Sequence, residues 1–360
     1  MQNKMEAWEQ AAISDVIPEE RQDGKTREFA KLNFSLEKKR FTLFDAPGHK
    51  NYVPNMIMGA CQADIAVLII SAKEGEFESG FEKDGQTKEH AMLAKALGVI
   101  ELIVTVTKMG TVGWSQKRYD QIKEQVTPYL ENSCGFHNVA FIPIESLENV
   151  NIHKRIENSW YKGPAFLEYL DNVKLPERNP MGPLRIPVID KFKDVGSLYV
   201  YGKVESGTII EDQTVTILPE RNQLVIKEIF NAKDERLPFA AAGENVKIKV
   251  KGIDEDDISR GNILCNNLNY CQESSEFKAN INILELPEQK KLVSSGYECV
   301  MHMHAISSQV EIVKVDAKVD KETGKKVPST FLRAGEKGIC VIKVKSNLIQ
   351  VERPLCMEKY

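Results

Sequence analysis

This sequence does not gather its cysteines. The seven thiols, Cys61, Cys134, Cys265, Cys271, Cys299, Cys340 and Cys356, are spread over 360 residues without a Cys-x-x-Cys pair. An odd, dispersed set argues against a disulfide framework or a zinc site and points to reduced thiols in the cytosol. Long apolar runs are also missing. The longest, Ile65–Ile70, is far short of a membrane span, and the N-terminus lacks a signal-peptide core. A cytoplasmic protein without membrane contact is therefore expected. No charge of one sign dominates: 48 Lys and Arg stand against 52 Asp and Glu, a net of −4. Any contact with nucleic acid must then come from local patches, and direct sequence-specific binding is not expected. A Gly-x-x-x-x-Gly-Lys-[Ser/Thr] phosphate loop occurs nowhere in the chain. Gly24-Lys25-Thr26 only imitates its end, because position 19 is Glu and no buried strand runs into it.

What is present divides into two styles. At 42% apolar and 28% charged residues the composition is that of a globular protein, and 360 residues suit two or three domains. The first half alternates buried strands with helices, the pattern of a parallel sheet. Ala63–Ser71 and Ile100–Val106 are continuous apolar runs, as strands covered on both faces require. Thr87–Leu97 reads as a helix stopped by Gly98, with Leu93 and Leu97 on one face. A second helix begins after Ser115, where Tyr119, Ile122, Val126 and Leu130 recur at helical spacing, and Phe141–Ile144 reads as the next strand. The three prolines within Lys174–Pro183 mark a linker. Beyond it, short alternating runs such as Tyr199–Val204, Thr214–Leu218, Val246–Val250, Ala279–Leu284 and Val310–Val315 lie between turn residues and predict β-barrels. The expected division is 1–174 for the α/β domain, 175–183 for the linker, 184–273 for a first barrel and 274–360 for a second. Asp320–Lys326 reads as a charged hairpin tip.

The segment Phe41–Lys50, FTLFDAPGHK, carries most of the chemistry. Arg40, Thr42 and Phe44 alternate with Phe41 and Leu43, which predicts a strand with two distinct faces. The strand stops on Asp45-Ala46-Pro47-Gly48-His49. Pro47 has no N–H and a fixed φ, Gly48 lets its amide come close to an anion, and Asp45 can hold Mg²⁺ through water. His49 then stands next to the anion with a ring that could orient a water. Asp-x-x-Gly alone is common and more often marks an ordinary strand-to-loop turn. His302 and His304 share a strand face but have no third ligand nearby in sequence, and His90 reads as packing or surface.

With its flanks, the stretch from Asp45 to Val99 resembles the second switch region, strand and helix of a translational GTPase of the elongation factor 1 alpha-like group. EERQDGKT at 19–26, GPLRIPVIDKFKDVGSLYVYGKVESGTI at 182–209 and GENVKIKVKGIDEDDISRGNILC at 243–265 extend it. Within that group the nearest resemblance is to eukaryotic class II peptide chain release factors, and it runs from about Trp8 to Tyr360. It implies an α/β GTPase domain, incomplete at its N-terminus, followed by two β-barrels, the second truncated. In that family the phosphate loop precedes the first switch, so the chain reads as an internal fragment or a truncated gene model, without hydrolysis of its own. The resemblance makes Thr26 the switch threonine on Mg²⁺ and the γ-phosphate. It gives Asp45 a role at the metal through water, the Gly48 amide a contact to the γ-phosphate, and His49 the positioning of the attacking water. It implies GTP or GDP and Mg²⁺ as cofactors. The implied partners are the ribosome and the stop-codon-reading class I release factor, with the second barrel docking the latter.

The guanine end departs from that pattern. Where Asn-Lys-x-Asp is expected, the chain has Thr107-Lys108-Met109-Gly110, and Gly110 offers no carboxylate for the two hydrogen bonds that guanine's edge donates. Lys108 can still lay its stem over a base. The later guanine loop, a Ser followed by a small residue in the family, falls at Glu145-Ser146-Leu147, where the Glu145 charge is unfavourable beside a base carbonyl. Guanine binding is therefore expected to be weakened or lost, because a missing charged hydrogen-bond pair costs both affinity and selectivity. Two other roles stand beside termination: a pseudo-GTPase scaffold that binds the release factor without cycling, and a ribosome-rescue or elongation-type GTPase. The Gly24-Lys25-Thr26 signature and the 182–209 stretch argue against the last.

Overall fold

The structure, a computed structural model, describes residues 30–46, 62–81, 85–157, 159–283, 286–287, 289–303, 306–320, 323–345 and 349–350. The chain divides into two compact units, residues 1–177 and 178–360.

In the first unit β1 (Ala30–Ser35) and β2 (Arg40–Asp45) pair antiparallel, and Phe34 stacks on Phe41 with ring centres 5.0 Å apart. The alternation expected for β2 is not what folds: Leu43 is 44% exposed while Phe44 is half-buried. A two-stranded ribbon has no wide sheet face to commit to a core, so its pattern is loose. Three further strands, β3 (Ile65–Ser71), β4 (Glu101–Thr107) and β5 (Ala140–Pro143), form a parallel sheet with β4 in the middle. Every residue of β4 after Glu101 is buried, the signature of a strand covered on both faces. On one face lie Leu102, Val104 and Val106 with Ile122 and Val126; on the other, Ile103 packs with Ile142, Ile144 and Leu170.

Helices supply both covers. After the short α1 (Glu76–Phe81), α2 (Gln86–Ala96) runs to Gly98, whose φ of 93° lets the chain turn away. Its buried residues are Ala91 and Ala94, whereas Leu93 and Leu97 are only half-buried. Small side chains let a helix approach a neighbouring surface closely, and here that outweighs the larger leucines. The helix α3 (Gln116–Tyr129) is capped by Ser115, whose Oγ accepts from Arg118 N at 3.3 Å. Tyr119, Ile122, Val126 and Leu130 are all buried, as their spacing predicts. A last helix, α4 (Phe166–Asn172), places Leu170 against the Ile103 side.

The second unit contains no α-helix among the described residues. Its first part comprises β6 (Arg185–Asp194), β7 (Ser197–Lys203), β8 (Thr208–Ile210), β9 (Thr214–Leu218), β10 (Asn222–Phe230), β11 (Arg236–Leu237), β12 (Phe239–Ala241), β13 (Asn245–Lys251) and β14 (Ile263–Asn266). The order β10-β13-β7-β6-β14-β9 returns on itself through a β9–β10 pairing, so these strands close into a barrel with no free edge. Alternate residues fill it, among them Ile186, Val200, Ile217, Leu224, Ile226, Ile248 and Leu264, all at or near zero exposure. Gly207 shows why a turn needs glycine: its φ is 80°, and a Cβ would lie 2.7 Å from Leu184 Cα.

The remainder comprises β15 (Glu273–Ser274), β16 (Glu276–Asn282), β17 (Val293–Ser294), β18 (Tyr297–Met303), β19 (Ile306–Val319), β20 (Lys326–Pro328), β21 (Phe331–Leu332), β22 (Lys337–Val344) and β23 (Ile349–Gln350). Its main sheet runs β16-β22-β19-β18, with β20 also on β19. Val319 lies opposite Lys326 on either side of the charged run, of which residues 321 and 322 lie outside the described residues. Among the described residues no helix is long and apolar enough to cross a membrane.

Candidate nucleotide site

Parallel strands that lie side by side deliver their following loops to the same end of a sheet, where α/β folds place ligands. Here β4 and β5 pair from Ile103 with Ala140 to Val106 with Pro143. The loops that leave them carry Thr107, Lys108 and Gly110 on one side and Glu145, Ser146 and Leu147 on the other. Backbone bonds first hold the two loops together: Ile144 N donates to Val106 O at 2.8 Å, and Met109 N to Ile144 O at 3.4 Å.

Side chains then lock them. Thr107 Oγ1 and Ser146 Oγ share a hydrogen bond of 3.0 Å. Glu145, only 6% exposed, turns its carboxylate toward the other loop, where Oε2 accepts from Gly110 N at 2.8 Å. Its backbone is fixed by bonds in both directions with Val150, at 3.1 and 3.0 Å. A Cβ built on Gly110 would stand 2.9 Å from Oε2 and 3.5 Å from Cδ of Glu145. Gly110 thus leaves room for the Glu145 carboxylate, and a side chain there would make that carboxylate shift.

Lys108 is held on its own side. Its backbone is left-handed, with φ 58°, a conformation that costs a non-glycine residue energy and persists where its surroundings enforce it. Its Nζ donates to Glu76 Oε2 at 2.6 Å, while Glu76 also receives Lys73 Nζ at 3.0 Å and Ser71 Oγ at 2.8 Å. Lys108 first, then Lys73 and Ser71, hold the Glu76 carboxyl down at about 2. Sequence reasoning missed this group. The signal was available, since Ser71 ends β3 and Lys73 and Glu76 come just after it, at the same end of the same sheet.

The other expected site residues stand differently. Asp45 ends β2 opposite Ala30, half-buried, and Ala46 follows it exposed. Among the described residues no hydrogen bond or ion pair links either to the loops after β4 and β5. Leu147 is half-exposed. Thr26, Pro47, Gly48 and His49 lie outside the described residues, as does His304. Among the described residues no three of His, Cys, Asp and Glu gather as metal ligands. His90 is partly buried in α2, and desolvation pulls its pKa below the usual histidine value.

The loops after β4 and β5 lie at the strand ends of an α/β unit that a closed β-barrel follows in the chain. Residues 1–195 match the elongation factor Tu GTP binding domain, 198–265 elongation factor Tu domain 2, and 276–360 the GTP-eEF1A C-terminal domain-like family. The chain belongs to the elongation factor Tu GTP-binding family. It is 40% identical over 365 residues to the eukaryotic peptide chain release factor GTP-binding subunit of Zygosaccharomyces rouxii, covering 99% of this chain and 53% of that protein. It is 39% identical to the same subunit of Kluyveromyces lactis, covering 99% and 50%. The resemblance to release-factor subunits drawn from the sequence motifs is borne out, and the chain spans about half the length of these curated relatives. The crystal structure of the Saccharomyces cerevisiae Ski7 GTPase-like domain, bound to GTP, shares the fold, with a TM-score of 0.74 at 16% identity over 98% of this chain and 83% of that one.

Proposed function

We propose that this chain is the GTP-binding and GTP-hydrolysing part of a cytoplasmic translation termination factor that delivers the stop-codon-reading class I release factor on the ribosome. The observation that carries the reading is the 40% identity to a release-factor GTP-binding subunit, sustained over 99% of the chain. The proposed division is a GTP-binding domain over 1–174, a linker at 175–183, a first barrel over 184–273 and a second over 274–360 that meets the release factor.

Phosphoryl transfer asks a protein mainly for positioning and for charge where charge develops. Asp45, at the open end of β2, offers the hard oxygen that Mg²⁺ takes, directly or through water, and Thr26 is its proposed companion. Bound there, Mg²⁺ would neutralise the phosphate oxygens. The Gly48 amide would face the γ-phosphate, and His49 would orient the attacking water. Thr107, Lys108, Gly110, Glu145, Ser146 and Leu147 would surround the base.

The test is GTP turnover by the full-length protein on ribosomes programmed with a stop codon, with the class I partner present. Ribosome-dependent turnover that falls about 10²-fold or more in His49→Ala is expected. Partner binding with no turnover above background would instead establish a scaffold that no longer cycles. Two departures, Thr107 and Gly110 in place of the family's Asn and Asp, favour that second reading.

A further inference from the structure

The two departures at the base end, Gly110 and Glu145, fall on residues that touch. Each alone looks like a lesion: Gly110 removes a carboxylate, and Glu145 adds one where a hydroxyl is usual. In the folded chain the added carboxylate stands where the missing one would be. An aspartate at 110 would carry its carboxyl carbon one bond beyond Cβ, and the Glu145 carboxyl carbon lies 3.5 Å from that Cβ position. Two carboxylates this close would oppose each other's ionisation, so an aspartate at 110 would displace the Glu145 side chain or share a proton with it. Glycine at 110 and glutamate at 145 therefore form a matched pair.

The Glu145 carboxylate is also placed in advance and incompletely partnered. Its backbone is held by Val150, its neighbour Ser146 by Thr107, and its Oε2 by Gly110 N. Its Oε1 is not among the buried atoms left without a partner, so that oxygen stays accessible. Among the described residues Glu145 collects one side-chain hydrogen bond, on Oε2, and none engages Oε1. Guanine presents donors at N1 and at its 2-amino group, side by side on one edge. Adenine presents a lone pair at N1 and no 2-amino group, so a carboxylate that accepts from the first repels the second. The chemistry does not depend on which loop the carboxylate comes from.

We propose that Glu145 is the residue that selects guanine in this chain, replacing from the β5 loop the aspartate that Gly110 no longer supplies from the β4 loop. This rests on the reading of the site as a guanine-nucleotide pocket, and it replaces the expectation that guanine recognition is weakened or lost.

The experiment measures GDP, XDP and ADP affinity by calorimetry on the full-length protein, its Glu145→Gln variant and the paired swap Glu145→Ser with Gly110→Asp. An amide in place of the carboxylate can meet xanthine's 2-carbonyl but no longer accepts both guanine donors. Wild type is expected to prefer GDP to ADP, Glu145→Gln to lose about 10- to 100-fold in GDP affinity while gaining XDP, and the paired swap to regain the GDP preference. A Glu145→Gln protein that still prefers GDP to XDP overturns the proposal, as does a wild type that binds GDP and ADP alike. Where Glu145→Gln does not fold, the paired swap decides alone: guanine preference kept supports the exchange, and preference lost overturns it. A wild type that binds none of the three overturns the GTP-binding reading and this proposal together.

Discussion

The loops after β4 and β5 and the barrel of β6–β14 are built on opposite terms. The barrel is held by backbone ladders that close on themselves and by an interior of Leu, Ile and Val, so almost any aliphatic residue of the right volume would serve at each inward position. The two loops are held by particular atoms: one hydroxyl on another, one carboxylate on one backbone N–H, one lysine on one glutamate. The barrel spreads its stability over many interchangeable contacts, while the loops concentrate chemistry in a few that have no substitute. Damage should therefore appear as lost stability in the barrel and as altered recognition at the loops.

The strongest way to break this comparison is to empty the barrel and look for an effect on the nucleotide. Ile217 is fully buried in β9, with Leu264 and Asn222 opposite it on the two flanking strands. Ile217→Ala is expected to destabilise the protein by about 2–5 kcal/mol, through lost transfer energy and the cavity left behind. Chemical denaturation reads that loss, and GDP affinity measured on the folded fraction should not move. A change of affinity of tenfold or more would mean that the barrel shapes the base pocket, and the separation of roles would fail.

A smaller effect sharpens the same contrast inside the first unit. Ser115 caps α3 immediately after the loop that holds Lys108 and Gly110. Ser115→Ala removes the acceptor of Arg118 N and should cost about 1 kcal/mol in a thermal melt. The cap and the loop after β4 are neighbours in sequence, and if that loop holds the base as proposed, the preference for GDP over ADP should remain as in wild type.

Legibility followed the same division. Apolar runs announce buried strands, which is why β3, β4 and β5 were readable, but β3 is not covered on both faces as expected, since Ile69 is 65% exposed; alternation revealed β7, β9, β13, β16 and β19. The α3 face was readable because its large side chains all point to the core. The α2 face was misread because alanines, not leucines, make its contact, and β2 because a two-stranded ribbon enforces no alternation. At the site, the sequence marked Gly110 and Glu145 as two separate faults, since a comparison position by position cannot see that one side chain crosses into the space another has vacated. The Glu76 cluster escaped because its members come from two loops, with Lys108 reaching a glutamate 32 residues away.

That cluster gives the finest test. Glu76 has an ordinary carboxyl value of 4.5 and is held at about 2 in the folded chain, by Lys108 before Lys73 and Ser71. A carboxyl depressed on folding stabilises the protein fully above its unfolded value and loses that contribution as pH falls toward its folded one. The window is therefore about pH 4.5 down to 2, and at neutral pH the ion pairs are intact. Glu76→Gln removes the contribution at every pH, so wild type should exceed the variant in melting temperature by a constant margin above pH 5. The two should converge as pH approaches 2. The margin should be small, because Glu76 and Lys108 are 36% and 48% exposed and water screens the pair, and added salt should shrink it further. Glu76→Gln should also free Lys108 Nζ, and a shift in GDP affinity larger than the shift in melting would show that the lysine is held there for the base. Equal melting curves across the whole window would mean that the cluster is a solvated surface arrangement, and the loops would then owe their order to Thr107, Glu145 and the backbone alone.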